Sequence, residues 1–355
     1  MDGASGKPYA APEVAAGELR ICDKIKVDRG LEFAIVAGLE GDSISETLIQ
    51  GTYPAEYRNL LDLVRATAPA GGRVLDLGAH IGTFSLGVAA AGFEVLAVEA
   101  SPRNASLLRA SIERNRFHRM RLVHAAVGDG PGFLDFCQCG PYGHVANPMT
   151  SLPSVRVPCI AVDDLLAEHG WERVDFIKMD IEGSEVVGLR GLHKLLARAD
   201  APPILVESNG HTLNFFGQTP ESLKATLEGF GYVNYLVEAG RLRPVGVRDV
   251  QPTTVVDLLA VKPAPKPRKT WRIDPPLSFA ETAERVALSC RSPNGDERLY
   301  IARALAGAGA ELRSEPRVAR AIEELRADPV EGIRSVAQAV STEPPKRSFF
   351  ARLFG

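Results

Sequence analysis

Apolar and polar positions along the chain fall into two alternating patterns between about Val74 and Glu207. Short apolar runs of strand length are separated by stretches with helical spacing, the rhythm of a parallel sheet with helices on both faces. The strands read as Arg73–Gly78, Glu94–Ala100, Arg121–Gly128, Val174–Asp180 and Pro203–Ser208. Gly231–Glu238 and Thr254–Val261 follow with no long helix between them, which predicts a closing antiparallel pair and seven principal strands. Gly132–Cys137 and Val155–Ile160 predict a secondary hairpin around a Gly/Pro/Asn-rich loop, Gln138–Ser154, of a length that often carries substrate contacts. Before the first strand, Ile44, Leu48, Tyr57, Leu60, Leu61 and Val64 keep helical spacing across Gly51 and Pro54, predicting two lead-in helices.

The pattern breaks at Lys262–Pro276, where alternating Pro and Lys read as a stiff linker. Beyond it, Val318, Ile322, Leu325 and Val330, Ile333, Val336 mark amphipathic helices. The resulting division is a segment 1–41, an α/β domain 42–261, a linker 262–276, a helical region 277–340 and a tail 341–355. The tail sets Phe349, Phe350, Leu353 and Phe354 against Lys346, Arg347 and Arg352. That mixture suits weak docking on a membrane surface or a protein, and equally a frayed terminus.

Composition narrows the class. The 355 residues are 45% apolar and 24% charged, and 41 basic residues against 44 acidic ones leave no cationic field that would make nucleic acid the default partner. Five cysteines are an odd number scattered along the chain, fitting reduced thiols and a cytoplasmic setting. The N-terminus lacks a basic segment followed by an apolar run, and the apolar stretch Gly78–Phe93 is too short to span a bilayer.

The candidate chemistry starts at Val74–Ala90, a strand, a glycine turn and a helix, the place where doubly wound sheets bind ligands. Gly78 and Gly82 are four apart, so the dinucleotide fingerprint Gly-x-Gly-x-x-Gly is missing. The first strand carries Asp76, a poor neighbour for pyrophosphate and a good one for an ammonium group. The second ends in Glu99, placed to accept hydrogen bonds from ribose hydroxyls. Ribose plus cation points to S-adenosylmethionine, although each carboxylate alone would also serve as a helix cap or a solvated charge.

At these residues the chain resembles the FkbM-type S-adenosylmethionine-dependent methyltransferases, over about Asp42–Val261. The resemblance rests on Gly51–Glu56, Asp76–Gly82, Glu99–Pro102 with Asn115, Ala126–Asp129, Val162–Leu166 and, most specifically, Lys178–Glu185. His80 stands where the family usually has Asn, and Ala100-Ser101-Pro102 replaces the usual Glu-Pro juxtaposition. The resemblance implies a class I methyltransferase fold in the α/β class, with Asp76, Gly78, Ala79, His80, Gly82, Thr83, Glu99 and Ala100 around the cofactor and Ala126 along its adenine.

Asp180 closes the fourth strand beside the first, at the edge where a methyl group would point, which makes it the first candidate for a base or acceptor orienter. Lys178 shares its face and reads as its ion-pair partner. Glu182, Glu185, Glu207, Asn209 and His211 complete an acidic rim with three readings: a divalent metal site of Asp180, Glu182 and Glu207, hydrogen bonding to an acceptor, or helix capping. Carboxylates on two loops are a partial shell, so no metal ligand is assigned. The expected reaction is O-methylation of a glycan or small-metabolite hydroxyl, against a nucleotide-dependent oxidoreductase or a non-catalytic binding module as rivals.

Overall fold

The computed structural model describes residues 19–28, 30–38, 43–139, 142–146, 152–238, 240–251, 253–262 and 271–343; the Lys346–Phe354 segment and most of the Pro/Lys stretch lie outside them. The described chain begins with an antiparallel hairpin, β1 (Leu19–Asp28) and β2 (Leu31–Gly38), inside the stretch read only as an N-terminal segment. Helices α1 (Ser43–Ile49) and α2 (Ala55–Thr67) follow. The second buries Leu60, Leu61, Leu63 and Val64 and stops at Ala68, which Pro69 holds in an extended conformation.

The α/β body alternates β3 (Arg73–Leu77), α3 (Thr83–Ala90), β4 (Glu94–Glu99), α4 (Pro102–Asn115) and β5 (Met120–His124). A side sheet interrupts it: β6 (Ala126–Gly128), β7 (Gly132–Cys137), β8 (His144–Val145) and β9 (Ser154–Ala161). The body resumes with α5 (Val162–Glu168), β10 (Phe176–Met179), α6 (Glu185–Arg190), α7 (His193–Leu196), β11 (Ile204–Asn209), α8 (Gly210–Phe215), α9 (Pro220–Gly229), β12 (Val233–Glu238), β13 (Arg241–Pro244), β14 (Val255–Val261) and β15 (Arg272–Ile273). Helices α10 (Phe279–Ser289), α11 (Gly295–Gly307), α12 (Ala310–Ser314), α13 (Pro316–Arg326) and α14 (Glu331–Gln338) close the described chain around a core of their own that includes Val286, Ile301, Leu305, Ile322 and Ile333.

The main sheet runs β15-β13-β12-β14-β11-β10-β3-β4-β5, parallel from β11 to β5, with β14 antiparallel to both neighbours. It is therefore a mixed sheet of nine strands where seven were expected. The extra two are β13 and β15, and β15 falls within the range read as a linker because buried Trp271 packs into the core beside Leu242 and Val261. The stretch read as one strand, Arg121–Gly128, divides into β5 in the main sheet and β6 in the side sheet. One core lies under the hairpin and α2–α4, and a second under α5–α9.

Strand order reverses between β3 and β10, whose carboxyl ends lie side by side. The turn after β3 passes so close to the end of β10 that a Cβ on Gly78 would lie 1.8 Å from the Asp180 carbonyl oxygen. Gly78 also has φ +83°. Gly92 has a similar φ, +91°, with open space around it, so the two separate conformational strain from collision. Gly78→Ala is expected to cost at least about 2 kcal/mol more than Gly92→Ala, read from urea denaturation midpoints.

Candidate active site

A cleft of about 790 Å³ opens at this switch point. Of the residues expected at the site, Gly78, Ala79, His80, Thr83, Glu99, Ala100 and Ala126 line it together with Lys178, Asp180 and Glu182. Asp76 and Gly82 do not. Asp76 is fully buried beneath the turn, where the Ser85 hydroxyl donates to it and the Lys178 ammonium lies 3.9 Å away, so it braces the site from behind. Gly82 begins α3, and the space a Cβ would need is taken by the Leu108 side chain at 2.3 Å, so its part is packing.

Glu99 is 6% exposed and held from both sides, Oε2 accepting from the His80 backbone N–H at 2.7 Å and Oε1 from that of Ser101 at 2.7 Å. Two fixed donors orient the carboxylate at the cleft wall. Burial nevertheless raises it from 4.5 to about 7, against the two backbone hydrogen bonds that lower it. Removing this carboxylate also strips an acceptor from two backbone donors, so its replacement carries a folding cost as well as any cost in binding.

Thr83 stands at the first turn of α3, 2% exposed, and its Oγ1 has no hydrogen-bond partner among the described residues although it lines the cleft. Tyr53, from the Gly51–Glu56 segment, donates its hydroxyl to the Thr83 carbonyl at 3.2 Å and packs over Gly87. Asn115 lies away from the cleft: it exchanges hydrogen bonds with Ala34 at 2.7 and 2.6 Å and ties β2 to α4.

Across the cleft Lys178, 7% exposed, reaches Asp180 at 3.0 Å. Burial alone would lower its ammonium, but Asp180 and Asp76 overcome that and the net direction is up, so it is held charged. Burial, followed by the charge of Asp180, pushes Glu182 up to about 8. Glu207 at the end of β11 is also raised by burial and by the same neighbours, and burial brings Asp257 on β14 up to about 6. Register places Asp257 opposite Glu207.

Two contributors escaped the sequence reading. Tyr57 keeps the helical spacing of the lead-in as one more apolar position, yet it lines the cleft, and burial raises its hydroxyl. Asp257 was absorbed into a closing strand; a lone carboxylate inside the apolar run Val255–Val261 was the available signal. Gly143 and Val145, from the loop expected to reach the acceptor, also line the cleft.

Comparison with known proteins bears on the same segment. Residues 76–233 match the family model described as the Methyltransferase FkbM domain. The matched segment begins at Asp76, ends in β12 and contains every lining residue from Gly78 to Ser184, while Gly51–Glu56, which also formed part of the resemblance, lies before it. No curated protein matches the chain. Among solved structures, the chain is similar to an O-methyltransferase from Bacillus cereus in complex with SAH, at 14% identity over 58% of this chain and 80% of that one with a TM-score of 0.34. It is also similar to a SAM-dependent O-methyltransferase from Thermotoga maritima (13%, 67% and 76%, TM-score 0.35). A precorrin-6y C5,15-methyltransferase from Geobacter metallireducens gives 11% identity, 64% and 91% coverage and a TM-score of 0.35. Among the described residues no helix is long and apolar enough to cross a membrane.

The raised carboxylates of Glu99 and Asp76, at about 7 and about 6 against ordinary values of 4.5 and 3.8, set a pH dependence. Between the ordinary and the raised values the folded chain keeps protons that the unfolded chain has released. Their stabilising contribution is complete below the ordinary values and disappears as pH rises through about 7. The ligand-free chain is expected to melt at a higher temperature near about pH 5.5 than near about pH 7.5, and Glu99→Gln to narrow that gap in a calorimetric scan.

Proposed function

We propose that this FkbM domain is a methyltransferase that uses S-adenosylmethionine and methylates a hydroxyl of a glycan or a small hydroxylated metabolite in the cytoplasm. The observation that carries the reading is one cleft with two chemically different ends: the Gly78–Thr83 turn with Glu99 and Ala126 at one, and Lys178, Asp180 and Glu182 at the other. The first end suits the cofactor. Glu99 is already oriented toward a diol, the unpartnered Thr83 hydroxyl offers a hydrogen bond, and the turn around Gly78, Ala79 and His80 leaves room for an amino-acid moiety. Five free cysteines agree with a reducing compartment.

When bound, S-adenosylmethionine supplies an electrophilic methyl group on a sulfonium sulfur. The chain's own residues have to align an acceptor oxygen with it, receive the acceptor's proton and keep water away. Asp180 takes the proton in this reading, with Lys178 holding its carboxylate at 3.0 Å, and Glu182 beside it orients a neighbouring hydroxyl. Hydroxyls are the matching acceptor groups because a rim of carboxylates offers acceptors for several O–H donors at once.

Titration calorimetry with S-adenosylhomocysteine, S-adenosylmethionine and NAD tests this. The first two are expected to bind and NAD is not; Glu99→Gln is expected to weaken S-adenosylhomocysteine at least about tenfold, equivalent to ~1.4 kcal/mol, while Asp180→Asn leaves it unchanged. NAD binding in place of both would establish a nucleotide-dependent oxidoreductase. Binding of both, without product release across a screen of sugars and small alcohols, would favour a non-catalytic module.

A further inference from the structure

The acidic end of the cleft and the strand end behind it gather more carboxylates than the described basic residues pair with. Met179 and Val206 are the last paired residues of parallel strands β10 and β11, so Asp180 and Glu207 leave the sheet next to one another. Glu182 returns toward them from a left-handed turn at φ +51°. One carboxylate oxygen from each of the three lies within 4.8 Å of the other two. Lys178 engages Asp180 at 3.0 Å and Asp76 at 3.9 Å, and no described basic side chain forms an ion pair with Glu182 or Glu207.

A second observation concerns hydrogen bonding. Glu182 is 8% exposed, and its Oε2 is shielded from solvent with no hydrogen-bond partner among the described residues; the Oε2 of Glu207 is in the same state. An ionised carboxylate buried without a hydrogen-bond donor, in a cluster with two others, is costly unless a cation joins them.

We propose that Asp180, Glu182 and Glu207 bind one hard divalent metal cation at the acceptor end of the cleft. The ligand set is all oxygen, as Mg²⁺, Mn²⁺ and Ca²⁺ prefer. Three oxygens within 4.8 Å of one another can converge on one ion, at about 2.1 Å for Mg²⁺ or about 2.3–2.6 Å for Ca²⁺, once the carboxylates shift inward. Three carboxylates leave the remaining positions to water or to acceptor oxygens. Lys178 leaves one Asp180 oxygen to the metal by engaging Oδ2. The structure thereby revises the sequence expectation, which assigned no metal ligand. Cation binding needs neither cofactor nor acceptor, so it stands or falls separately from the methyltransferase reading.

The test is titration of the full chain with MnCl2 by calorimetry, with bound Mn²⁺ counted by electron paramagnetic resonance and MgCl2 and CaCl2 added as competitors. The expected result is one Mn²⁺ per chain, displaced by Mg²⁺ or Ca²⁺. Glu182→Gln and Glu207→Gln should each weaken binding at least tenfold, and Glu324→Gln, in the distant C-terminal helices, should leave it unchanged. Both amide substitutions remove repulsion, so their melting temperatures should match or exceed that of the parent chain; if one variant fails to fold, the other decides. Absence of Mn²⁺ binding at millimolar concentration, a Kd unchanged in the folded variants, or an equal loss in Glu324→Gln would overturn the assignment.

Discussion

Contact between the turn after β3 and the end of β10 decides where everything else in the cleft can be. With no side chain on Gly78, the backbone of the turn sits against the Asp180 carbonyl, and the cofactor-like end of the cleft meets the acidic end without an intervening layer. Any Cβ there would push the two strand ends apart and separate Glu99 from Asp180. The same approach explains why Asp76 is buried: the residue two positions earlier lies under the turn, where Ser85 and Lys178 reach it.

Charge is arranged around that contact. Lys178 is the ammonium between a fully buried aspartate on β3 and a partly exposed one at the end of β10, so it ties the two strands electrostatically where they already touch. Removing one member of such a buried set leaves the others uncompensated, which costs more than the intact set contributes. Beyond Asp180 come Glu182, Glu185, Glu207 and Asp257, and among the described residues no further lysine forms an ion pair with them. Glu185 turns its Oε1 back to the Ile181 and Gly183 backbone N–H groups and so serves the loop itself. Glu182 and Glu207 have no such occupation among the described residues, and this sets them apart from the groups that hold the site together.

The outer elements bear on the cleft through packing. Tyr53 braces α3 at Thr83 and Gly87, and the side chains of Asn115 and Ser111 fasten the N-terminal hairpin to α4 by hydrogen bonds to the β2 backbone at 2.6–2.9 Å. On the other side, the Tyr300 ring from the C-terminal helices fills the place a side chain would occupy on Gly210, at the start of α8. Helix α8 in turn presses the Thr212 carbonyl against Gly183, next to Glu182. The C-terminal helices are thus in mechanical contact with the loop that carries the acidic cluster.

What the sequence by itself determined were the features set by local chemistry: alternating apolar runs that place Asp76, Glu99, Asp180 and Glu207 at or near strand ends, the glycine turn, and the ordered motifs of the FkbM domain. Period-two and period-3.6 patterns report which positions are buried, because burial of one face is a local requirement of each element. Tertiary structure alone decided what those side chains meet. Asp76 and Gly82 stand in the motif yet do not line the cleft, Tyr57 stands in an apolar pattern yet lines it, Asp257 sits inside an apolar run yet pairs opposite Glu207, and Arg272–Ile273 joins the sheet from a stretch that composition marks as linker. These outcomes depend on distances between segments far apart in the chain, and the spacing of residues along one strand or helix carries no information about such distances.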